Sequence, residues 1–212
     1  MLDKLLRYYK KRKLLDEIPD TLINIPNIEI DGLEACYKRF SAQALYLIES
    51  STLDIGCGNV PRNPFSADKT FGIDIRENKE KGIKFADLSI QSIPYEDAKF
   101  DFITAYDFLE HIPKVLYAPS LRFPFVELMN EVYRTLKIGG IFFSHTPIHP
   151  FSLSYSDPTH VNVLTDQTFP LYFDDKGIGA KIYGFNGAFL VRYQARKGIH
   201  LVSVLQKTLP SE

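Results

Sequence analysis

A series of short apolar runs, separated by turns and helical stretches, begins near residue 51 and restricts the folds open to this chain. The runs are Thr52–Ile55, Thr70–Ile75, Gly82–Ala86, Phe100–Ala105 and Gly140–Ser144. Their length and composition indicate strands, and strands that alternate with helical stretches favour a largely parallel sheet covered on both faces. We therefore expect an α/β fold.

Two helices are predicted from apolar residues at helical spacing. One apolar stripe runs from Phe125 to Leu136 and follows Pro124, a residue suited to a first helical turn. The other runs from Leu33 to Ile48. Both helices are expected to pack against the sheet.

The first segment of the chain has apolar residues on one helical face and basic residues on the others. Leu2, Leu5, Leu6 and Tyr9 form the apolar face, and Lys10–Lys13 is a basic patch. We interpret the segment as a solvated surface helix. A mobile lid or a contact for an anionic acceptor is the alternative.

The C-terminal tail follows a different pattern. Two β-rich runs, Ala188–Gln194 and Ile199–Lys207, are joined by only four residues. That spacing suits a hairpin better than a helical crossover, so the sheet should contain one antiparallel strand near its edge.

Length and composition predict a single domain. The chain has 212 residues, of which 45% are hydrophobic and 24% charged. We divide it into N-terminal helices (residues 1–50), a nucleotide-binding core (51–147) and a ligand-side loop with the hairpin (148–212). A net charge of −1 gives no global attraction to nucleic acid or an anionic membrane.

Cysteine usage and hydropathy predict the compartment. Cys36 and Cys57 do not form a disulfide framework, so both are expected to be thiols. The sequence has no signal-peptide pattern and no apolar window of about 18 residues. We expect a cytoplasmic protein without membrane insertion.

Glycines and acidic residues follow the predicted strands. Gly56 and Gly58 come directly after the first strand, where backbone must approach a ligand closely. Alone, such a pair also fits an ordinary strand-to-helix turn. However, Asp74 ends the second run and Asp87 the third. Together with Asp54, they would line one edge of a single pocket.

Position 61 argues against a dinucleotide ligand. A dinucleotide fold needs a third glycine there and free backbone N–H groups for a pyrophosphate. The residue is Pro61, which has no N–H. A ligand without phosphate, carrying a sulfonium and an amino-acid tail, fits the acidic site better.

These motifs resemble the class I, Rossmann-like family of S-adenosylmethionine-dependent methyltransferases. Leu53–Gly58 is similar to the first signature motif, and Asp74 and Asp87 to the second and third. Phe100–Ile112 resembles the fourth motif in the form that contains Leu-Glu-His. Glu131–Gly140 resembles the helix and double-glycine turn before the fifth strand. The resemblance covers roughly residues 50 to 147.

The resemblance implies a three-layer sandwich whose seven-stranded sheet is parallel except for the last strand. It also implies S-adenosylmethionine as cofactor and S-adenosylhomocysteine as product. The methionine moiety would lie against Gly56 and Gly58, with Asp54 near its amino group and the ribose hydroxyls on Asp74. Val60–Pro64 departs from the family pattern, so a longer loop is expected there.

The remaining cofactor contacts are also implied by the resemblance. The adenine edge would meet Asp87 and Leu88, and Tyr106 and Asp107 would face the methionine tail or the acceptor. The complete predicted cofactor set is Asp54, Gly56, Cys57, Gly58, Asp74, Ile75, Asp87, Leu88, Tyr106 and Asp107.

The acceptor side is predicted from titratable residues after the fourth and fifth strands. Methyl transfer requires alignment of donor and acceptor and, for a poor nucleophile, removal of a proton. The candidates are His111, His145, His149, Asp157 and His160. The Asp-Pro-Thr-His run at 157–160 resembles a feature of a bacterial subgroup of these enzymes, in which this loop leads into a helix over the active site.

Three interpretations of the loop that follows the fifth strand remain open. It supplies acid/base or acceptor contacts, it makes structural hydrogen bonds that hold a lid, or it binds a metal. His and Asp can ligate metals, but their spacing matches no compact ligand motif, so we assign no metal. For His111, a structural role and an acceptor contact are equally favoured.

We expect a methyltransferase that acts on a small molecule or a glycan intermediate. The alternative is an enzyme acting on nucleic acid or protein, for which Lys10–Lys13 is the only signal. Tyr106-Asp107-Phe108 stands where a Pro-Pro-Tyr amino-methyltransferase motif would be, which disfavours DNA and protein-glutamine acceptors. A third hypothesis is a non-catalytic Rossmann-like module.

Overall fold

A computed structural model describes residue 7 and residues 22–177 and 179–210 of the chain. The predicted helix that contains the basic patch Lys10–Lys13 lies outside the described residues, apart from Arg7.

The described residues form one seven-stranded sheet, as predicted. Its strands are β1 (Ser51–Ile55), β2 (Lys69–Asp74), β3 (Ile83–Phe85), β4 (Phe100–Tyr106), β5 (Leu136–Pro147), β6 (Phe189–Lys197) and β7 (His200–Lys207). The strand order is β3-β2-β1-β4-β5-β7-β6. Strand β7 pairs antiparallel with both β5 and β6, whereas the other pairings are parallel. The Rossmann-like fold class is confirmed.

Helices and turns cover both faces of the sheet. The helices are α1 (Ile30–Arg39), α2 (Pro124–Thr135), α3 (Leu153–Ser156) and α4 (Thr168–Tyr172), and short 3-10 turns are Lys79–Lys81, Leu109–His111 and Ala180–Tyr183. Because side chains alternate along a strand, neighbouring residues of β4 face different layers. Ile103 joins the cluster that contains α2, and Phe102 joins the cluster that contains α1.

Helix α1 is shorter than the stripe from Leu33 to Ile48 predicts. It ends at Arg39, and the Ala42 N–H donates to the carbonyl of Phe65 at 2.8 Å instead of continuing the helix. Ile48 is 89% exposed. The predicted extent is therefore wrong, because contacts with the 56–68 loop replace the helical hydrogen bonds.

The double glycine also lies elsewhere than predicted. Gly139 and Gly140 were expected to form a turn before the fifth strand, but they lie inside β5, which begins at Leu136. The register with β4 shifts between Phe100 and Phe102, and Gly139 has a φ of +80°. The glycines therefore accommodate an irregularity within a longer strand.

Among the described residues, no helix has the length and apolar content needed to cross a bilayer.

Candidate functional site

A cleft of about 490 Å³ opens at the carboxyl edge of the parallel strands. Ligands of open α/β sheets bind at this edge. The cleft is lined by the residues that end or follow β1, β2, β3 and β4, with one residue of the later loop: Gly56, Ile73, Asp74, Ile75, Arg76, Ala86, Asp87, Leu88, Ser89, Asp107, Phe108, His111, Ile112 and Thr159.

Many predicted site residues lie in this lining. They are Gly56, Asp74, Ile75, Asp87, Leu88, Asp107 and His111. The predicted site residues outside the lining are Asp54, Cys57, Gly58, Tyr106, His145, His149, Asp157 and His160.

The loop after β1 has a backbone conformation that favours glycine. Gly56 and Gly58 have φ angles of +66° and +62°, a region that side chains with a β-carbon rarely adopt. A β-carbon on Gly56 would lie 2.2 Å from Cδ2 of Phe108. One on Gly58 would meet nothing within 4 Å. The loop therefore leaves free space beside Gly58.

Proline at position 61 helps to hold this loop against β2. A β-carbon on Gly72 would lie 2.6 Å from Cγ of Pro61 and 2.7 Å from Sγ of Cys57. The Cys57 N–H donates to the carbonyl of Ile73 at 3.1 Å. Cys57 is a free, buried thiol, and burial raises its pKa to about 11. It packs beneath the loop as a neutral group.

Asp54 ties the loop to the neighbouring strand. Its Oδ2 accepts the Arg62 N–H at 2.8 Å, and its Oδ1 accepts the Thr104 hydroxyl at 2.7 Å. The residue is fully buried, and this burial raises the pKa of the carboxyl to about 6. Asp54 lies below the cleft, so its predicted contact with the cofactor stays a prediction.

Asp74 is the most enclosed acidic group of the cleft lining. Its Oδ2 accepts the Gly58 N–H at 2.8 Å, and its Oδ1 accepts both the backbone N–H and Nε of Arg76 at 3.0 Å. A carboxylate has about four lone-pair positions, so it can still accept a ribose hydroxyl. Arg76 is 68% exposed and can turn away from Asp74 at little cost.

Asp87 and Leu88 form the opposite wall. The Asp87 Oδ1 accepts the Ser89 N–H at 3.0 Å, and the Asp87 N–H donates to Gln91 at 2.8 Å. Leu88 is buried. This wall offers an apolar surface beside a partly exposed carboxylate, which suits a heterocyclic base.

Asp107 lines the cleft and also lies close to two histidines. Its Oδ1 lies 3.4 Å from Nδ1 of His145 and 3.3 Å from Nε2 of His200. The two imidazole rings stack with centroids 4.2 Å apart. Burial by itself raises the pKa of Asp107, but the two histidines outweigh it and lower that pKa well below its usual range. The Asp107 carboxylate is therefore charged in the folded chain near neutral pH.

A second group surrounds the Leu-Glu-His segment. Glu110 is buried, and its Oε2 accepts the Thr146 hydroxyl at 2.7 Å. The rings of His111 and His160 meet edge to face with centroids 4.9 Å apart. Asp157 accepts the Thr159 hydroxyl at 2.6 Å. The 157–160 run therefore packs back onto the turn after β4.

His149 lies apart from both groups, whereas the ring of Tyr106 has its centroid 5.9 Å from that of His145. His149 is exposed and hydrogen-bonds the Tyr155 hydroxyl. The Tyr106 hydroxyl donates to that of Tyr37 at 3.0 Å, and the Arg62 guanidinium lies 4.5 Å from the centre of the Tyr106 ring. Burial raises the pKa of Tyr106, so it is a neutral hydrogen-bonding group beside the site.

Several residues of the site were missed from the sequence. Phe108 lies in the segment that resembles the fourth motif, and Thr159 lies in the Asp-Pro-Thr-His run, but the resemblance assigns neither residue a contact in the site. His200 had a usable signal: it begins the strand predicted to be antiparallel, and the first residue of such a strand lies where its parallel neighbours end.

The residues present fit S-adenosylmethionine. The positive φ angles and the open space at Gly58 permit close approach by a ligand. The charged and polar lining carries carboxylates at Asp74, Asp87 and Asp107, which suits a cationic sulfonium and ribose hydroxyls.

Comparison with known proteins agrees with this fit. Residues 53–144 match the family model of a methyltransferase domain. No protein of curated function matches the sequence.

Solved structures share the fold at low sequence identity. One is a chain of the complex between the Trm112 methyltransferase activator of Haloferax volcanii and a proposed methyltransferase, with 12% identity, a TM-score of 0.51 and coverage of 84% of this chain and 93% of that chain. Another is the cyclase SpnF, with 16% identity, a TM-score of 0.54 and coverage of 84% and 81%. At these identities the likeness concerns the fold alone.

The family match extends from β1 into β5 and includes most of the residues that build the cleft. The match over residues 53–144 and the lining of the cleft together support a methyltransferase domain in this part of the chain, with S-adenosylmethionine as the cofactor that the lining fits.

Proposed function

We propose that this enzyme transfers the methyl group of S-adenosylmethionine to a small-molecule or glycan-type acceptor at the carboxyl edge of the sheet. The observation that carries the proposal is the position of Asp107. It lines the cleft and also lies against His145 and His200, so a polar cluster with two proton acceptors adjoins the cofactor site.

The cofactor supplies an electrophilic methyl group on a sulfonium. We propose that Gly56, Gly58 and Asp74 position it, and that Asp87 and Leu88 hold its adenine. Asp107 would stabilise a protonated His145 by its charge, since its Oδ1 lies 3.4 Å from Nδ1 without the geometry of a hydrogen bond. The His145 imidazole would then be the base that accepts a proton from an acceptor hydroxyl.

Charge favours a small acceptor over nucleic acid. The net charge of −1 gives the protein no overall attraction to a polyanion. A polar, histidine-containing edge suits a hydroxylated acceptor such as a sugar.

Transfer of a labelled methyl group tests the proposal. Purified enzyme and S-adenosylmethionine with an isotopic methyl label are incubated with separate cell fractions: small molecules, glycans, nucleic acids and proteins. We expect label in the first two fractions, and much less label with the Asp74→Ala variant when the concentration of S-adenosylmethionine is below the Kd of the wild type. Label confined to nucleic acid or protein would overturn the proposed acceptor class, and binding without transfer to any fraction would favour a non-catalytic module.

A further inference from the structure

We propose that Glu110, His111 and His160 bind a divalent transition-metal ion of the zinc type in the wall of the cofactor cleft. One ligand atom from each residue lies within 4.8 Å of the other two. Three atoms spaced in this way have a common point within about 2.8 Å of each, whereas zinc ligands bind at about 2.0–2.2 Å. Movements of less than about 1 Å would therefore close the site around an ion.

Glu110 supplies the most unusual observation. The residue is 2% exposed, and its Oε1 is buried without a hydrogen-bond partner among the described residues. A buried carboxylate oxygen without a donor is costly unless a cation lies beside it.

The hydrogen bonds of the two histidines leave lone pairs free for a metal. The single hydroxyl proton of Thr159 goes to Asp157 at 2.6 Å, so Nδ1 of His111, 3.0 Å from the same hydroxyl oxygen, must be the donor in that contact. Nδ1 of His160 lies 3.4 Å from the carbonyl of Ser154, which can only accept. In both neutral rings the lone pair is therefore on Nε2.

This pattern is the one that metal-binding histidines show. Such residues usually donate their other ring N–H to a carbonyl, hydroxyl or carboxylate, which fixes the tautomer and the ring orientation. Asp157 is not one of the three ligands, but its Oδ2 lies 3.9 Å from Nε2 of His160 and adds a negative charge beside them. Two histidines and a carboxylate are a ligand set typical of zinc.

Ring geometry distinguishes this cluster from Asp107, His145 and His200, whose ligand atoms also lie within 4.8 Å of one another. A metal bound to histidine lies close to the plane of the ring. The rings of His145 and His200 are nearly parallel, with an interplanar angle of 19°, so their planes do not converge on one nearby ion. The rings of His111 and His160 meet at 76°, so the planes of both rings can pass through the same ion.

Metal binding can be measured without the acceptor. The purified enzyme is stripped with a chelator, and Zn²⁺ is then titrated in competition with a chromogenic chelator. Co²⁺ absorption in the visible range reports the ligand geometry. We expect one ion per chain, a submicromolar Kd, and a higher Tm with Zn²⁺ than without it.

Two variants test the ligands, and two serve as controls. Glu110→Gln and His160→Ala should each weaken Zn²⁺ binding at least 100-fold, with a far-UV circular dichroism spectrum that shows a folded chain. His149→Ala and His145→Ala, which change histidines outside the cluster, should bind Zn²⁺ like the wild type. If His160→Ala does not fold, the test rests on Glu110→Gln, because this substitution keeps the shape of the side chain.

The proposal is overturned if the wild type binds no Zn²⁺ with a Kd below about 100 µM, or if His145→Ala removes binding and Glu110→Gln does not. Neither result depends on methyl transfer. Failure of the metal site therefore leaves the proposed function standing, and failure of the acceptor assay leaves the metal site standing.

Discussion

The ring of Phe108 fills the space that a β-carbon on Gly56 would need. The added carbon would lie 2.2 Å from Cδ2 of Phe108, at a φ of +66°. Gly56→Ala therefore combines an unfavourable φ with overpacking, and we expect a loss of about 2–4 kcal/mol in the free energy of unfolding, measured by urea denaturation.

Gly82→Ala is the matched control for this variant. Gly82 has a φ of +67° and no atom within 4 Å of an added β-carbon, so only the cost of the φ angle, about 1–2 kcal/mol, should appear. Equal losses in the two variants would mean that Phe108 moves aside freely.

At Gly58, the same substitution should affect binding more than stability. Its φ is +62°, and the space beside it is open. Gly58→Ala should destabilise the fold as little as Gly82→Ala, yet lower the affinity for S-adenosylmethionine at least tenfold, because the methyl group enters the space proposed for the cofactor. Calorimetric titration measures this. Unchanged affinity would remove Gly58 from the cofactor site.

Asp74→Ala should weaken S-adenosylmethionine binding about 10- to 100-fold. Hydrogen bonds to a charged group contribute about 1.5–3 kcal/mol, which corresponds to that range. Glu77→Ala is the matched control, because it removes the same charge from a nearby residue outside the cleft lining. If both variants bind alike, the ribose contact is not made by Asp74.

The raised pKa of Asp54 predicts that the free energy of unfolding depends on pH. The pKa of its carboxyl in the folded state is about 6, above the ordinary 3.8, so the folded state holds the proton more tightly than the unfolded state. This group therefore lowers stability as the pH rises from about 4 to 6, by about 3 kcal/mol in total.

The variant Asp54→Asn should remove that dependence. Its amide oxygen can accept the Arg62 N–H, and its amide nitrogen can donate to Thr104. Urea denaturation at pH 4, 5, 6 and 7 should show the variant gaining on the wild type as the pH rises. A constant difference across this range would mean that Asp54 ionises as easily in the folded chain as in the unfolded one.

His145→Gln should lower kcat about 100-fold or more and leave the Kd for S-adenosylmethionine within a factor of three, since general-base catalysis contributes about 10²–10⁴-fold. His149→Gln changes an exposed histidine of the following loop and should keep most of the activity. A larger loss in His149→Gln would transfer the proposed role of base to that residue.

The first four strands were predictable because each is a short apolar run that ends in, or is soon followed by, glycine or an acidic residue, and the last two because only a short turn joins them. The ends of α1 and the start of β5 were not, because tertiary contacts decide them. The Ala42 N–H donates to the carbonyl of Phe65. Leu136 pairs with Phe100, where the register between β4 and β5 is irregular. Neither partner can be identified from local periodicity.

The candidate site also has a part that could be predicted from the sequence and a part that could not. The acidic residues at strand ends follow from the rule that parallel strands end at one edge, and the structure places Asp74, Asp87 and Asp107 there. The contact of His160 with His111 depends on how a long loop returns across the molecule. Residue spacing carries no information about that return, which is why no metal was assigned from the sequence.

The antiparallel direction of β7 has a consequence for how this enzyme can diversify. Two residues, Gly198 and Ile199, separate β6 from β7, and His200 follows them immediately. A one-residue insertion or deletion there has to be absorbed by the turn, because a slip of one residue would turn every side chain of the buried strand β7 to the other face. The turn therefore keeps position 200 beside Asp107, and variation is expected in the side chain at that position rather than in the length of the turn.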